Sequence, residues 1–249
     1  MPTSYRALCT DFYINQRLNL KMDLPMRRDT VLALFDRIRR EHPSMDKFRR
    51  YQNELALESA ARDQAQQWLG LRKTSIRSGS VNPGSAGDAY RLHKLVLETA
   101  PYYLDISPLD LDYLELLYGF DLMAAGNHDA IVYEALVSGS PLGRLIDLDG
   151  AIPIDCQPIF GMALSDDVDI QANFEVKTRT SPQQVRTGDF REEPISIYLT
   201  VRKYGPINDV KELPNLLTTL LKHGEDLLES RLVPNLLMPI RNVIVTGSA

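Results

Sequence analysis

Four histidines, His42, His93, His128 and His223, are the residues to weigh first as metal ligands or proton carriers, and none falls in an HxH, HxxxH or HExxH arrangement. Cys9 and Cys156 stand far apart, each without a cysteine or histidine close by, so the spacing of a zinc or iron site is missing. Carboxylates gather at Asp147, Asp149 and Asp155 and again at Asp166, Asp167 and Asp169. Neither group follows the twelve-residue calcium-loop pattern, and both read as turns between strands. The expectation is a chain with no metal site and no cofactor. For acid and base work the best pair is His128 and Asp129, where a carboxylate beside a histidine at a helix start can tune its proton affinity. Arg72 would then hold an anionic substrate in a cleft between two halves of the chain. The competing reading is structural: Asn127, His128 and Asp129 are also what a helix N-terminus uses for capping and dipole compensation.

Phosphate chemistry finds little support. Neither GxGxxG nor GxxxxGK[ST] occurs, and the stretch Ser78 to Gly87, SGSVNPGSAG, offers backbone amides ahead of a helix without the lysine of a phosphate loop. It reads as a turn or linker. A GxSxG nucleophile motif is also missing. Basic residues cluster at Arg37, Arg39 and Arg40 and at Lys47, Arg49 and Arg50, while Tyr51 and Trp68 lie near Arg72, Lys73 and Arg77 in sequence. Together these would make a modest nucleic-acid face on the first half. The sequence pI of about 5.4 argues against that use.

The clearest signals belong to the elements that would carry such groups. From Phe12 to Leu24 apolar residues occupy the even positions, with Gln16 as the mismatch, and Tyr13, Asn15, Arg17, Asn19 and Lys21 the odd ones. From Val168 to Arg179 the alternation is unbroken, with Gln171, Asn173, Glu175, Lys177 and Arg179 on the polar side. Period two with one apolar face is the mark of an antiparallel strand covered on one side only. The polar rows are therefore the candidate binding residues: Tyr13, Asn15, Arg17, Asn19 and Lys21, with Gln171, Asn173, Lys177 and Arg179. Long hydrogen-bonding side chains in rows fit a wet protein interface.

Between these strands the pattern alternates. Asp29 opens a helix with Val31, Leu34, Phe35 and Ile38 on one face, ended by His42-Pro43. Strands are expected near residues 49–58, 67–77, 109–122, 152–164 and 195–204, the fourth interrupted by Pro153 and Pro158, which would place it at an edge or force a bulge. Further helices are expected over residues 88–103, at 127–136 and from Asn208 onward, the last kinked or ended at Pro234. The apolar remainder beyond it must pack on the body or meet a partner. The fold class is α+β: two ferredoxin-like strand and helix units in tandem, residues 1–105 and 106–249, with long antiparallel strands and helices on one face.

At 249 residues with 44% hydrophobic and 24% charged residues, the composition is that of a chain with a real core rather than a disordered one. No apolar run approaches the length of a membrane span or a signal-peptide core, and reduced cysteines fit a cytoplasmic setting. Residues 1–105 carry 17 Lys+Arg against 12 Asp+Glu, and residues 106–249 carry 11 against 21. Such polarity steers anionic partners to the first half or aligns copies head to tail. The sequence therefore points to a non-enzymatic binding or assembly protein, self-associating or an accessory subunit. A protein partner or a second copy is expected, with no membrane, and an enzyme acting on a small anion or nucleic-acid binding by the first half are the alternatives.

Overall fold

The structure, a computed structural model, describes residues 5–62 and 64–247. A nine-stranded sheet runs through the molecule in the order β2-β3-β4-β5-β1-β6-β9-β8-β7, and every neighbouring pair is antiparallel. The first half gives β1 (Asp11–Leu20), α1 (Arg28–Glu41), β2 (Lys47–Tyr51), β3 (Glu54–Glu58), β4 (Gln66–Arg72), β5 (Ser75–Val81) and α2 (Ala86–Tyr103). The second gives β6 (Leu111–Ala124), α3 (His128–Leu136), β7 (Ile159–Ala163), β8 (Ile170–Lys177), the short α4 (Pro182–Thr187), β9 (Glu193–Tyr204) and α5 (Leu213–Leu227). The chain ends in a π-helical stretch, Leu228–Leu237, and α6 (Met238–Thr246).

In both halves the last strand returns to lie beside the first, β5 beside β1 and β9 beside β6, and β1 and β6 then pair with each other. The two halves are thus joined through a shared seam, and one cluster of buried apolar residues draws on both. Even-numbered residues of β1, among them Ile14 and Leu18, are fully buried beneath the helices. Leu34 and Ile38 of α1, Leu92 and Val96 of α2, and Leu217 and Leu220 of α5 close over them. Because the side-chain period of a strand is two, the odd-numbered residues of β1 must emerge on the opposite face. The helices α1, α2 and α5 lie on the other side of the sheet.

Several elements differ from expectation for local reasons. Residues 47–58 form a hairpin about Gln52-Asn53, and residues 66–81 form a second about Lys73-Thr74. Ser78 to Val81 belongs to β5, so the connection ahead of α2 is only Asn82–Ser85. Its small residues answer to packing: a Cβ on Gly79 would strike the Trp68 ring lying across it. β1 and β8 are shorter than the alternation implied, which leaves Lys21 and Arg179 beyond the strand ends. Of residues 152–164 only β7 is strand, an edge as the prolines implied.

Pro234 does not end the helical run, which passes through it as π-helix. A proline ring in an α-helix clashes with the carbonyl four residues earlier, and the wider π turns around it relieve that clash. The stretch packs on the body through Leu228, Leu232 and Leu237 and continues into Ile240 of α6, all buried. No helix among the described residues is long and apolar enough to cross a membrane.

Candidate functional site

The face of the sheet opposite α1, α2 and α5 gathers the polar rows into one open layer. Register places Asn15 of β1, Leu117 of β6, Thr200 of β9 and Asn173 of β8 side by side across four strands. One step along the strands, Arg77, Arg17, Glu115, Arg202 and Gln171 form the adjacent row. Beyond it lie Arg72, Ser75, Asn19, Tyr113 and Tyr204. Tyr13, Asn15, Arg17, Asn19, Gln171 and Asn173 therefore share one surface. Lys177 ends β8, Lys21 sits in the bend after β1, and the Arg179 guanidinium donates to the Pro194 carbonyl oxygen beyond the strand.

Large side chains lie flat on this face because glycines leave room beneath them. The Tyr13 ring covers Gly119 and Trp68 covers Gly79, at positions where a Cβ would collide with the ring. Arginines sit against the aromatic faces: Arg77 is 5.3 Å from the Trp68 centroid, Arg17 is 5.7 Å from Tyr113, and Arg202 is 4.5 Å from Tyr113. Two carboxylates intervene. Glu54 pairs with Arg72 and approaches Arg77 at 3.5 Å, while Glu115 is engaged by the Arg202 guanidinium.

Arg17 is the exception. Its Nη2 donates to Asn19 Oδ1 at 2.8 Å, yet among the described residues it has no ion pair, and its buried Nε has no hydrogen-bond partner. It stands directly opposite Arg77 across the β1–β5 pair. Like charges opposed across a strand pair repel. Burial, first, lowers the proton affinity of Arg77, and the neighbouring Arg72 and Arg17 add to that while Glu54 opposes it. Two residues from Arg17 on the same face, Asn15 Oδ1 is likewise buried without a partner among the described residues. The surface thus holds an unpaired donor and an unpaired acceptor side by side.

At the far end of the open face Asp121 accepts a hydrogen bond from Ser196, and burial raises its proton affinity. The Tyr13 phenol is held protonated, chiefly by burial and then by its interaction with Tyr198.

The acid–base candidates lie elsewhere and apart. His128 begins α3, with Nε2 3.1 Å from the Ala124 carbonyl oxygen and Nδ1 accepting from the Arg179 N–H at 3.4 Å. Asn127 caps the helix, its side chain accepting from the Asp129 and Ala130 N–H groups. Asp129 is buried and accepts from the Cys156 N–H at 2.9 Å and from the Thr178 hydroxyl at 2.7 Å. Arg72 lies on β4, three strands across the sheet from β6, which leads into α3. These are the contacts of a helix start that ties down the Cys156 segment and the end of β8.

Tyr113, Glu115, Thr200, Arg202 and Tyr204 were not singled out by residue type, although the alternation of their strands already places them outward. Among the described residues, no group of three His, Cys, Asp or Glu side chains converges to hold a metal ion. Asp169 instead pairs with Lys203 at 2.7 Å. Cys9 and Cys156 are both free thiols, and burial, followed by Asp11 and Asp121, pushes Cys9 up to about 12. The sequence matches no protein-family model and no curated protein.

Proposed function

We propose that the chain is a non-enzymatic binding or assembly protein, an accessory subunit whose working surface is the open face of the sheet. The occupant is an acidic segment of a partner protein, one carboxylate of which seats between Arg17 and Arg77. The observation that carries this reading is Arg17, a half-buried guanidinium that faces another arginine and has no ion pair among the described residues. A carboxylate there pairs with the Arg17 guanidinium and relieves the repulsion across β1–β5. The flanking amides and aromatic rings supply the polar, wet contact of a non-obligate interface.

Titration calorimetry with an amide-capped hexaglutamate tests it. Binding is expected at low ionic strength, weakened at about 0.5 M salt, and weakened at least about tenfold by Arg17→Gln, the loss of one charge-assisted contact. Equal affinity in wild type and variant would contradict it.

A second reading has its own support: Trp68, Arg72 and Arg77 share this face, an aromatic ring beside cations, as stacking on single-stranded nucleic acid requires. Glu54, which engages both arginines, weighs against it. Salt-dependent retention of a single-stranded oligonucleotide in place of hexaglutamate would favour it. The enzymatic alternative has less to stand on, since both His128 ring nitrogens meet backbone groups. We further read the two halves as duplicated strand and helix units in a cytoplasmic protein, a reading supported by the way each half returns its last strand beside its first.

A further inference from the structure

The sheet ends in two edges of opposite charge. β2 forms one edge with the sequence KFRRY, where Lys47, Arg49 and Arg50 are all exposed. β7 forms the other with IFGMA and is flanked by exposed Asp155, Asp166 and Asp167. None of these six charged residues takes part in an ion pair among the described residues. Both edges also expose apolar side chains, Phe48 at 51% on β2 and Ile159 and Phe160 at 64% and 58% on β7. An exposed apolar edge strand is a template for another strand, and sheets are guarded against this by charge, bulges or cover. β7 has none of these guards within its five residues.

The geometry points to head-to-tail assembly, in which β2 of one copy adds to β7 of the next and continues the sheet from molecule to molecule. Charge selects this joint over the symmetric ones. Two β7 strands paired antiparallel about a two-fold axis would bring Asp155 of one copy towards Asp166 and Asp167 of the other, and two β2 strands would bring Lys47 towards Arg50. Only the mixed joint sets basic against acidic residues, and it covers Phe48 together with one of Phe160 and Ile159, which point to opposite faces of β7. With nine strands antiparallel throughout, β2 and β7 run in the same direction. A joint that keeps the helices on one side is therefore a parallel pair, and a joint that flips alternate copies is antiparallel. Either is heterologous, so each copy keeps one free edge and the product is a chain or a closed ring. This inference does not depend on what the open face binds.

Light scattering coupled to size exclusion, over a range of concentrations, reads the outcome on the full chain. Wild type is expected to rise from 28.2 kDa towards multiples of it. R49E/R50E and D166K/D167K reverse one edge each at exposed positions, and each alone is expected to associate about tenfold more weakly or worse. Mixed one to one, the two variants restore opposite charges at every joint and are expected to reassociate. A wild type that stays monomeric overturns the inference. So does R49E/R50E assembling as wild type does, which would reveal a β7–β7 joint, or D166K/D167K doing so, or a mixture that stays monomeric. Circular dichroism of each variant confirms the fold, and recovery in the mixture separates lost pairing from lost folding.

Discussion

His93, on the inner face of α2, is completely buried, and the Ser78 hydroxyl, 2.8 Å from its Nδ1, joins it to the amide of Gln16. Burial lowers its proton affinity to about 3, with the backbone at Ile14 opposing in part. An unfolded histidine titrates near ~6.5. Between those values the unfolded chain binds a proton that the folded chain excludes, so this contribution to stability is full above about pH 6.5 and is lost as pH falls, at about 1.4 kcal/mol per pH unit. Urea unfolding at pH 7.5 and pH 5 is expected to show wild type losing about 2 kcal/mol more than His93→Gln. A second residue-scale test concerns Gly119, where a Cβ meets the Tyr13 ring. Gly119→Ala is expected to cost about 1–3 kcal/mol in wild type, and much less in a Tyr13→Ala background, because the two substitutions share one contact. Gln16 shows what residue type alone conceals. It breaks an otherwise apolar row, and its reason, a buried chain to Ser78 and His93, spans two strands and a helix.

Elements were legible where burial is one-sided. β1, β6, β8 and β9 alternate because helices cover one face alone, and α1 shows the apolar stripe that packs on them. The hairpins at 47–58 and 66–81 were not, since their strands mix exposed charge, serine and glycine and so carry no clean period. Nor was the π-helical stretch, because proline in a sequence signals a stop whereas packing of Leu228, Leu232 and Leu237 favours carrying on. At α3 the capping residues were legible and their reach was not. Asp129 holds the Cys156 segment and Thr178 together from the helix start. Asp129→Ala leaves the Cys156 N–H and the Thr178 hydroxyl unpaired and is expected to cost about 2 kcal/mol. Limited proteolysis should then cut faster within residues 138–158, and unchanged cleavage there would argue that this contact does not fasten the segment.

For the whole molecule, strand order was the information the sequence withheld. Alternation puts Arg17 and Arg202 outward on their own strands, but only the order β5-β1-β6-β9 makes them neighbours of Arg77 and leaves Arg17, opposite Glu115, outside the ion pairs that Glu54 and Glu115 make among the described residues. Charge opposition between the halves was legible as a count, and the sheet converts it into two edges of unlike sign. The central claim is that the open face is where an acidic segment binds, and the single tryptophan, Trp68, reports from that face beside Arg77. Its emission during titration with amide-capped hexaglutamate is the most direct measurement. Saturable change in wild type, abolished in Arg17→Gln/Arg77→Gln with the fold retained, is the predicted result. Binding that leaves Trp68 emission unchanged, or a response that survives the double substitution, would contradict it.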